Sequence, residues 1–254
     1  MRLENSFIQI PRIGEKTEQK LWKKGITHWD HVEDTSNISD AKKDRITSFV
    51  QKARQNLEVN NSYFFGEKMP SKESWRIYRN FQENACFFDI ETTGLDKQKN
   101  KVTTVGTHRA GESKVLVRGQ DLTRERLKEE IQKSSVLVSF NGKMFDVPFL
   151  EQSFDMNIDK PHIDLRYPCK RLGMSGGLKS IEKQLGIDRE LEDVDGREAV
   201  RLWKRYEKGD EEALQKLVKY NRYDAVNLEQ LLEMVHERLT KEFFRPYVNS
   251  AEDL

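Results

Sequence analysis

The chain has 254 residues, room for one large domain or for a small domain beside a medium one, and its 36% apolar and 34% charged residues make it polar without giving it a disordered composition. Its 44 Lys and Arg stand against 43 Asp and Glu, a formal net charge of +1, so overall charge announces no polyanion partner and any affinity for nucleic acid has to come from local patches. No apolar run approaches the ~20 residues of a membrane helix, the opening MRLENSFIQI lacks the apolar stretch of a secretion signal, and two cysteines make no disulfide scaffold, which together give the cytoplasm as the expected compartment.

Residues 1–62 read as a helical module. KTEQKLWKKG has helical spacing, and so does ISDAKKDRITSFVQKARQNLE, with Ile38, Ile46, Phe49, Val50 and Leu57 as its apolar stripe and Ser39 or Asp40 as its cap. Residues 63–83 mix aromatics with Gly66 and Pro70 and form a connector, whose last part, Ser74 to Phe81, is predicted as a short helix. From residue 84 to 254 the pattern is that of a mixed α/β sheet domain. ACFFDIE, KVTTVGTHRA and SKVLVRG are three strands, TRERLKEEIQKS is a helix, VLVSF a fourth, fully apolar strand, FDVPFLEQSF a helix and HIDLRYP a fifth strand. The remainder is helical: LKSIEKQLG, REAVRLWKRYEKG, EEALQKLVKY and AVNLEQLLEMVHERL. Cys86, inside the first strand, reads as a small buried hydrophobe.

Three places along this pattern concentrate acids. In FFDIETTGL, strand alternation puts Asp89 and Glu91 on one face while Phe88 and Ile90 point the other way. Two carboxylates at the end of an interior strand repel each other unless a cation sits between them, and hard divalent ions such as Mg²⁺ and Mn²⁺ prefer carboxylate oxygens. Asp146, in SFNGKMFDVPFL, falls near a helix start, where capping is the alternative to a ligand role. In YNRYDAVNL, Tyr220 and Asp224 are four apart on one helical face, whereas Tyr223 at the preceding position points elsewhere.

Taken in order, FFDIETTGL, SFNGKMFDVPFL and YNRYDAVNL resemble the three motifs of the DEDD superfamily of 3′–5′ exonucleases. The tyrosine four residues before the last Asp resembles that of the DEDDy branch, which includes family-B polymerase proofreading domains. With HIDL and GGLKSIEKQLGI, the chain looks closest to the YprB-like group of ribonuclease H-like exonucleases. The resemblance runs from Ala85 to about Glu237. It implies a ribonuclease H-like fold, a five-stranded mixed sheet with its second strand antiparallel to the rest, flanked by helices. It also implies two Mg²⁺ or Mn²⁺ ions held by Asp89, Glu91, Asp146 and Asp224, with Tyr220 orienting the attacking water. The implied activity is hydrolysis of single-stranded DNA or DNA ends to 5′-mononucleotides. An RNA-directed enzyme and a non-catalytic nucleic-acid-binding protein on the same fold are the alternatives.

Other residues have two readings each. Thr92, Thr93, Gly94 and Leu95 either hold the terminal nucleotide, with Leu95 against its base, or form a plain turn. Asn141 and Phe145 flank the second motif and contact the strand, with the core as the alternative for Phe145. His162 and Asp164 share a strand face and are either metal ligands or, as the preferred reading, structural residues. GMSGGLKS, with Lys179, binds phosphate at a helix start or is a loop; it lacks the nucleotide-triphosphate pattern. The N-terminal IPRIGEKTEQKLWKKGITHWDHV resembles one helix-hairpin-helix element in which Arg12 replaces the first turn glycine. Arg12, Lys16, Lys20, Lys23 and Lys24 offer a basic surface to DNA, or Leu21, Trp22, Ile26 and Trp29 make it a packing module.

Overall fold

In the computed structural model, which describes residues 1–189 and 194–248, the apolar run at residue 85 is the middle strand of a five-stranded sheet. The strands are β1 (Ala85–Thr92), β2 (Val102–Arg109), β3 (Glu112–Val117), β4 (Val136–Ser139) and β5 (His162–Asp164), in the spatial order β3-β2-β1-β4-β5. β2 is antiparallel to both β1 and β3, while β4 and β5 run parallel to β1. This is the expected ribonuclease H-like mixed sheet with its second strand reversed.

Four helices precede the sheet: α1 (Glu15–Trp22), α2 (Asp40–Glu58), α3 (Ser62–Gly66) and α4 (Tyr78–Phe81). α5 (Arg124–Gln132) joins β3 to β4 and α6 (Asp146–Phe154) joins β4 to β5. After β5 come α7 (Arg166–Arg171), α8 (Leu178–Leu185), α9 (Gly196–Tyr206) and α10 (Glu211–Phe243).

Alternation along β1 sorts the core into two layers. Cys86, Phe88 and Ile90 pack with Leu127 of α5 and with Phe149 and Leu150 of α6. Ala85 and Phe87 face the other way, into a cluster that includes Leu228, Leu231 and Val235 of α10. That same cluster continues into Leu21, Trp22, Ile26, Trp29, Ile46, Phe49 and Val50, so the N-terminal helices share a core with the sheet. A third cluster joins Ala199, Leu202 and Trp203 of α9 to Leu214 and Leu217 of α10. Both cysteines are buried and unbonded. Among the described residues no helix is long and apolar enough to cross a membrane.

Three boundaries differ from the sequence expectation, each for a physical reason. The segment before β1 is a 3-10 run over Ser71–Ile77 followed by α4, rather than one helix from Ser74. Glu73, Ser74, Trp75, Arg76 and Ile77 are all buried, which a one-sided helix does not allow. β5 stops at Asp164 because the Asp164 carboxylate accepts the backbone N–H of Arg166 at 3.1 Å and turns the chain into α7. Pro168 then sits in the first turn of α7, where its missing N–H costs nothing. Finally, the two C-terminal helices are one, since nothing in Asn221–Asp224 breaks a helix and the buried stripe from Leu214 to Leu239 runs through it.

Candidate active site

The approach of α10 to β1 builds the site. Gly106 in β2 lies opposite Asp89 in the sheet register. A Cβ at Gly106 would fall 2.6 Å from the carbonyl oxygen of Asn221, so α10 can cross there only over a residue without a side chain. Asn221 then uses its amide twice, donating to the Asp89 carbonyl at 3.1 Å and to the Asp89 carboxylate at 2.8 Å. Three residues further on, Asp224 meets the β1 acids: carboxylate oxygens of Asp89, Glu91 and Asp224 all lie within 4.8 Å of one another.

Asp146 arrives from the other side of the sheet. The turn after β4 is held by Asp164, which accepts the backbone N–H of Asn141 at 2.7 Å and of Lys143 at 3.1 Å. Asn141 takes a left-handed φ of 66°, and at Gly142 a Cβ would lie 2.2 Å from Ser139 Oγ. This tight turn delivers Asp146 to the first residue of α6, where its carboxylate accepts the backbone N–H of Ile90. Asp146 is outside the group of three but lines the same cavity of about 1210 Å³ as Asp89, Glu91, Tyr220 and Asp224.

The electrostatics follow from burying acids together. Burial, then repulsion by Asp224, Glu91 and Asp146, holds Asp89 well above the carboxylate range, and Glu91 is raised for the same reasons. Burial lifts Asp146 to about 7 and Asp224 to about 6. Asp224 is raised less because Arg189 and the Tyr220 hydroxyl both donate to it. Tyr220 is buried beside these acids, which pushes its phenol upward and keeps it a donor.

Thr92, Thr93, Gly94, Leu95, Asn141 and Phe145 also line the cavity. Thr92 Oγ1 donates to the Gly94 carbonyl at 2.7 Å, and Leu95 is 86% exposed at the mouth. Asn141 Oδ1 accepts from Arg166 at 2.5 Å. Lys179 does not line the cavity; its ammonium donates to the Val194 carbonyl and lies 5.8 Å from the Tyr220 ring centre. Arg12, Lys16, Lys20, Lys23 and Lys24 are exposed, and Leu21, Trp22, Ile26 and Trp29 are buried.

Sequence reasoning did not reach Arg189, Glu182 or Asn221. Arg189 bridges Asp224 and the fully buried Glu182 and lies 5.7 Å from the Tyr220 ring centre. Its position in a loop, 35 residues from Asp224, carries no periodic signal. Asn221 was findable: it shares the buried face of α10 with Leu217, Asp224 and Leu228.

A sequence profile of the RNase H superfamily matches residues 86–236, more than half of the chain. The chain belongs to this superfamily. No curated protein matches it. Among solved structures, NrnC of Brucella melitensis with bound Mg²⁺ is 21% identical, with 67% of this chain and 81% of that one covered at a TM-score of 0.47. The family B DNA polymerase of Pyrobaculum calidifontis is 16% identical over 60% of this chain and 25% of that one, at a TM-score of 0.48. An apo nuclease structure is 18% identical over 65% and 78%, also at 0.48.

The donor set itself fits a divalent cation. Three carboxylates converge within 4.8 Å, and burial, then repulsion by the neighbouring acids, pushes Asp89 and Glu91 toward protonation, a conflict that hard cations with a preference for oxygen relieve.

Proposed function

We propose that this chain is a metal-dependent 3′–5′ exonuclease of the DEDDy type, in the YprB-like group, that trims single-stranded DNA or DNA ends to 5′-mononucleotides. One observation carries the reading: Tyr220 and Asp224, one turn apart on α10, face the cavity that Asp89, Glu91 and Asp146 enter from β1 and α6. Asp89, Glu91, Asp146 and Asp224 would hold two Mg²⁺ or Mn²⁺ ions. When bound, such a pair activates water and stabilises the departing 3′ oxygen of an in-line displacement.

The chain's own residues do the rest. Asn221 fixes the Asp89 carboxylate, and the N–H of Ile90 fixes that of Asp146, so the acids are oriented before substrate arrives. Tyr220 keeps its proton and donates it in a hydrogen bond to Asp224, so its oxygen on the cavity wall is left as an acceptor that can hold the O–H of a water and orient it toward a phosphorus atom. Leu95, apolar and exposed at the mouth, offers a surface to the terminal base, while the backbone of Thr92–Gly94 borders the sugar. All four acids are present, which a binding protein on a decayed nuclease fold would not need.

The test uses 5′-labelled and 3′-labelled DNA and RNA strands, with Mg²⁺, with Mn²⁺ and with chelator. Stepwise shortening of the 5′-labelled DNA from its 3′ end, dependent on the metal and absent in Asp89→Ala, is expected. Equal rates for Asp89→Ala and the parent would sink the assignment, and shortening of RNA alone would move the substrate to RNA.

A further inference from the structure

The cavity that holds the acids has a basic rim. Along α9, Arg197, Arg201 and Lys204 fall on one stripe and line the cavity, while Ala199, Leu202 and Trp203 are buried behind them. α7 repeats the arrangement one turn long: Arg166 and Lys170 line the cavity and are exposed, and Pro168 and Cys169 are buried. Neither helix needs these cations for its own packing.

Nor do the cations serve to neutralise the acids. None of the five is ion-paired with Asp89, Glu91, Asp146 or Asp224; Asp224 takes Arg189 instead. Arg201 pairs with Glu198 across the surface at 3.1 Å with 71% of its side chain still exposed. Asp195, the further acid on this side of the cavity, is occupied in capping α9 through the N–H groups of Arg197 and Glu198. With a chain-wide charge of only +1, five exposed cations around one cavity are a local field that the composition does not supply by default.

We propose that Arg197, Arg201 and Lys204 on α9, continued by Arg166 and Lys170 on α7, form a track for the phosphates of a single nucleic-acid strand whose 3′ end reaches the acids. The proposal rests on the nuclease reading for where the strand ends, though not for the existence of the track. From Arg197 to Lys204 the stripe rises ~10 Å, which matches about three phosphates at ~3.4 Å per nucleotide in a stacked strand. Phosphate contacts position a strand without reading its bases, so the track grips any sequence and either sugar. It also separates two tasks: the acids need cations, which attract the scissile phosphate, and the rim holds the rest of the strand without entering their coordination.

The experiment measures binding of fluorescein-labelled oligothymidylate and oligouridylate by anisotropy across a range of NaCl, with Ca²⁺ in place of Mg²⁺. The parent is compared with the triple variant R197A/R201A/K204A. Metal-dependent hydrolysis of the p-nitrophenyl ester of thymidine 5′-monophosphate, too short to touch the rim, is followed in parallel. Neutralising three cations is expected to reduce the slope of log K against log salt by about 2 for a single strand. Affinity should fall roughly 10- to 100-fold at low salt, with the short ester turned over within about twofold of the parent and the melting temperature unchanged. A loss on only one of the two oligonucleotides supports a track for that polymer and overturns its indifference to the sugar. An unchanged slope and affinity on both overturns it. If the variant loses the slope while the parent hydrolyses neither strand nor ester with any metal, the track stands and the nuclease reading falls.

Discussion

Two clusters of charge in this protein are built on opposite plans. Beneath the N-terminal helices, the buried Arg76, Glu18 and Glu73 and the nearly buried Arg171 pair with one another, and the more exposed Lys72 and Glu15 extend the network, three cations against three anions. Glu18 is fully buried, yet both its oxygens lie 2.8 Å from Arg76, and one also accepts the backbone N–H groups of Phe7 and Ile8 at 2.7 and 3.0 Å. At the cavity, Asp89, Glu91, Asp146 and Asp224 come together with one ion pair among them in the described residues, from Arg189 to Asp224, and that arginine is shared with Glu182. A buried cluster that balances its own charge is finished as folded and serves the fold. One that is short of positive charge is complete only with something from solution. Charge balance, more than burial or charge count, tells the two apart.

The comparison breaks most readily at its balanced end. Arg76→Met leaves Glu18 buried without a cation and Glu73 with Arg171 alone, and breaking a buried pair on one side costs about 3–5 kcal/mol. Urea melts should show that loss, while Mg²⁺ affinity at the cavity stays as in the parent.

The unbalanced end responds to pH with a sign opposite to that of a typical ion pair. Asp146 and Asp224 are raised from 3.8 to about 7 and about 6, and Asp89 and Glu91 are raised as well. Between the ordinary carboxylate value and these raised values the folded chain holds more protons than the unfolded one. Stability is therefore fully present below about pH 4 as far as these groups are concerned, and is lost as pH rises through about 6 to 7. In chelator, the melting temperature of the parent should fall relative to that of Asp89→Ala between about pH 5 and pH 7.5. Saturating Mg²⁺ should add more stability at the upper end, where the proton it displaces is already leaving. Burial of His162, His236 and the N-terminal amine, all lowered from their ordinary values, works the other way over this interval and is common to parent and variant, so an Asp89→Ala variant that gains no melting temperature on the parent toward pH 7.5 would refute the charge deficit.

Gly106→Ala probes how the deficit is assembled. A methyl group 2.6 Å from the Asn221 carbonyl forces α10 off β2, and overpacking of this kind costs about 1–3 kcal/mol. The same shift pulls Asp224 away from Asp89 and Glu91, so Mg²⁺ affinity should drop together with stability.

How far these features were legible beforehand depends on the range of the interaction behind them. The sheet was readable because a period of two is a local property: Phe88 and Ile90 against Asp89 and Glu91 is visible in five residues, and the turn signals between β1, β2 and β3 are equally local. The reversed second strand came from the resemblance of three motifs, since periodicity does not give strand direction. The 3-10 run at Ser71–Ile77 was not readable, because it is set by burial on all sides, a tertiary fact. The end of β5 turned on one side chain, Asp164, whose hydrogen bonds to Asn141, Lys143 and Arg166 appear only when the turn after β4 is folded beside it. Arg189 and Glu182 were silent for the same reason: a lone arginine in a loop does not announce the acid it will meet. The basic rim was half visible, since Arg197, Arg201 and Lys204 are a helical stripe on paper, but nothing before folding places that stripe over the acids.

The finest probe is Tyr220→Phe. Asp224 has two donors, Arg189 and the Tyr220 hydroxyl, so removing the hydroxyl leaves the carboxylate paired and the cavity shape intact. The stability cost should be about 1 kcal/mol, the worth of one hydrogen bond. If the hydroxyl only steadies Asp224, its loss weakens Mg²⁺ binding and slows cleavage in step. If it orients the attacking water, as proposed, Mg²⁺ binding by calorimetry stays within about threefold while cleavage at saturating metal slows by about 10²-fold, the lower range for a positioned proton-bonding group. A split between affinity and rate assigns Tyr220 to the reaction, and parallel losses assign it to the ligand beside it.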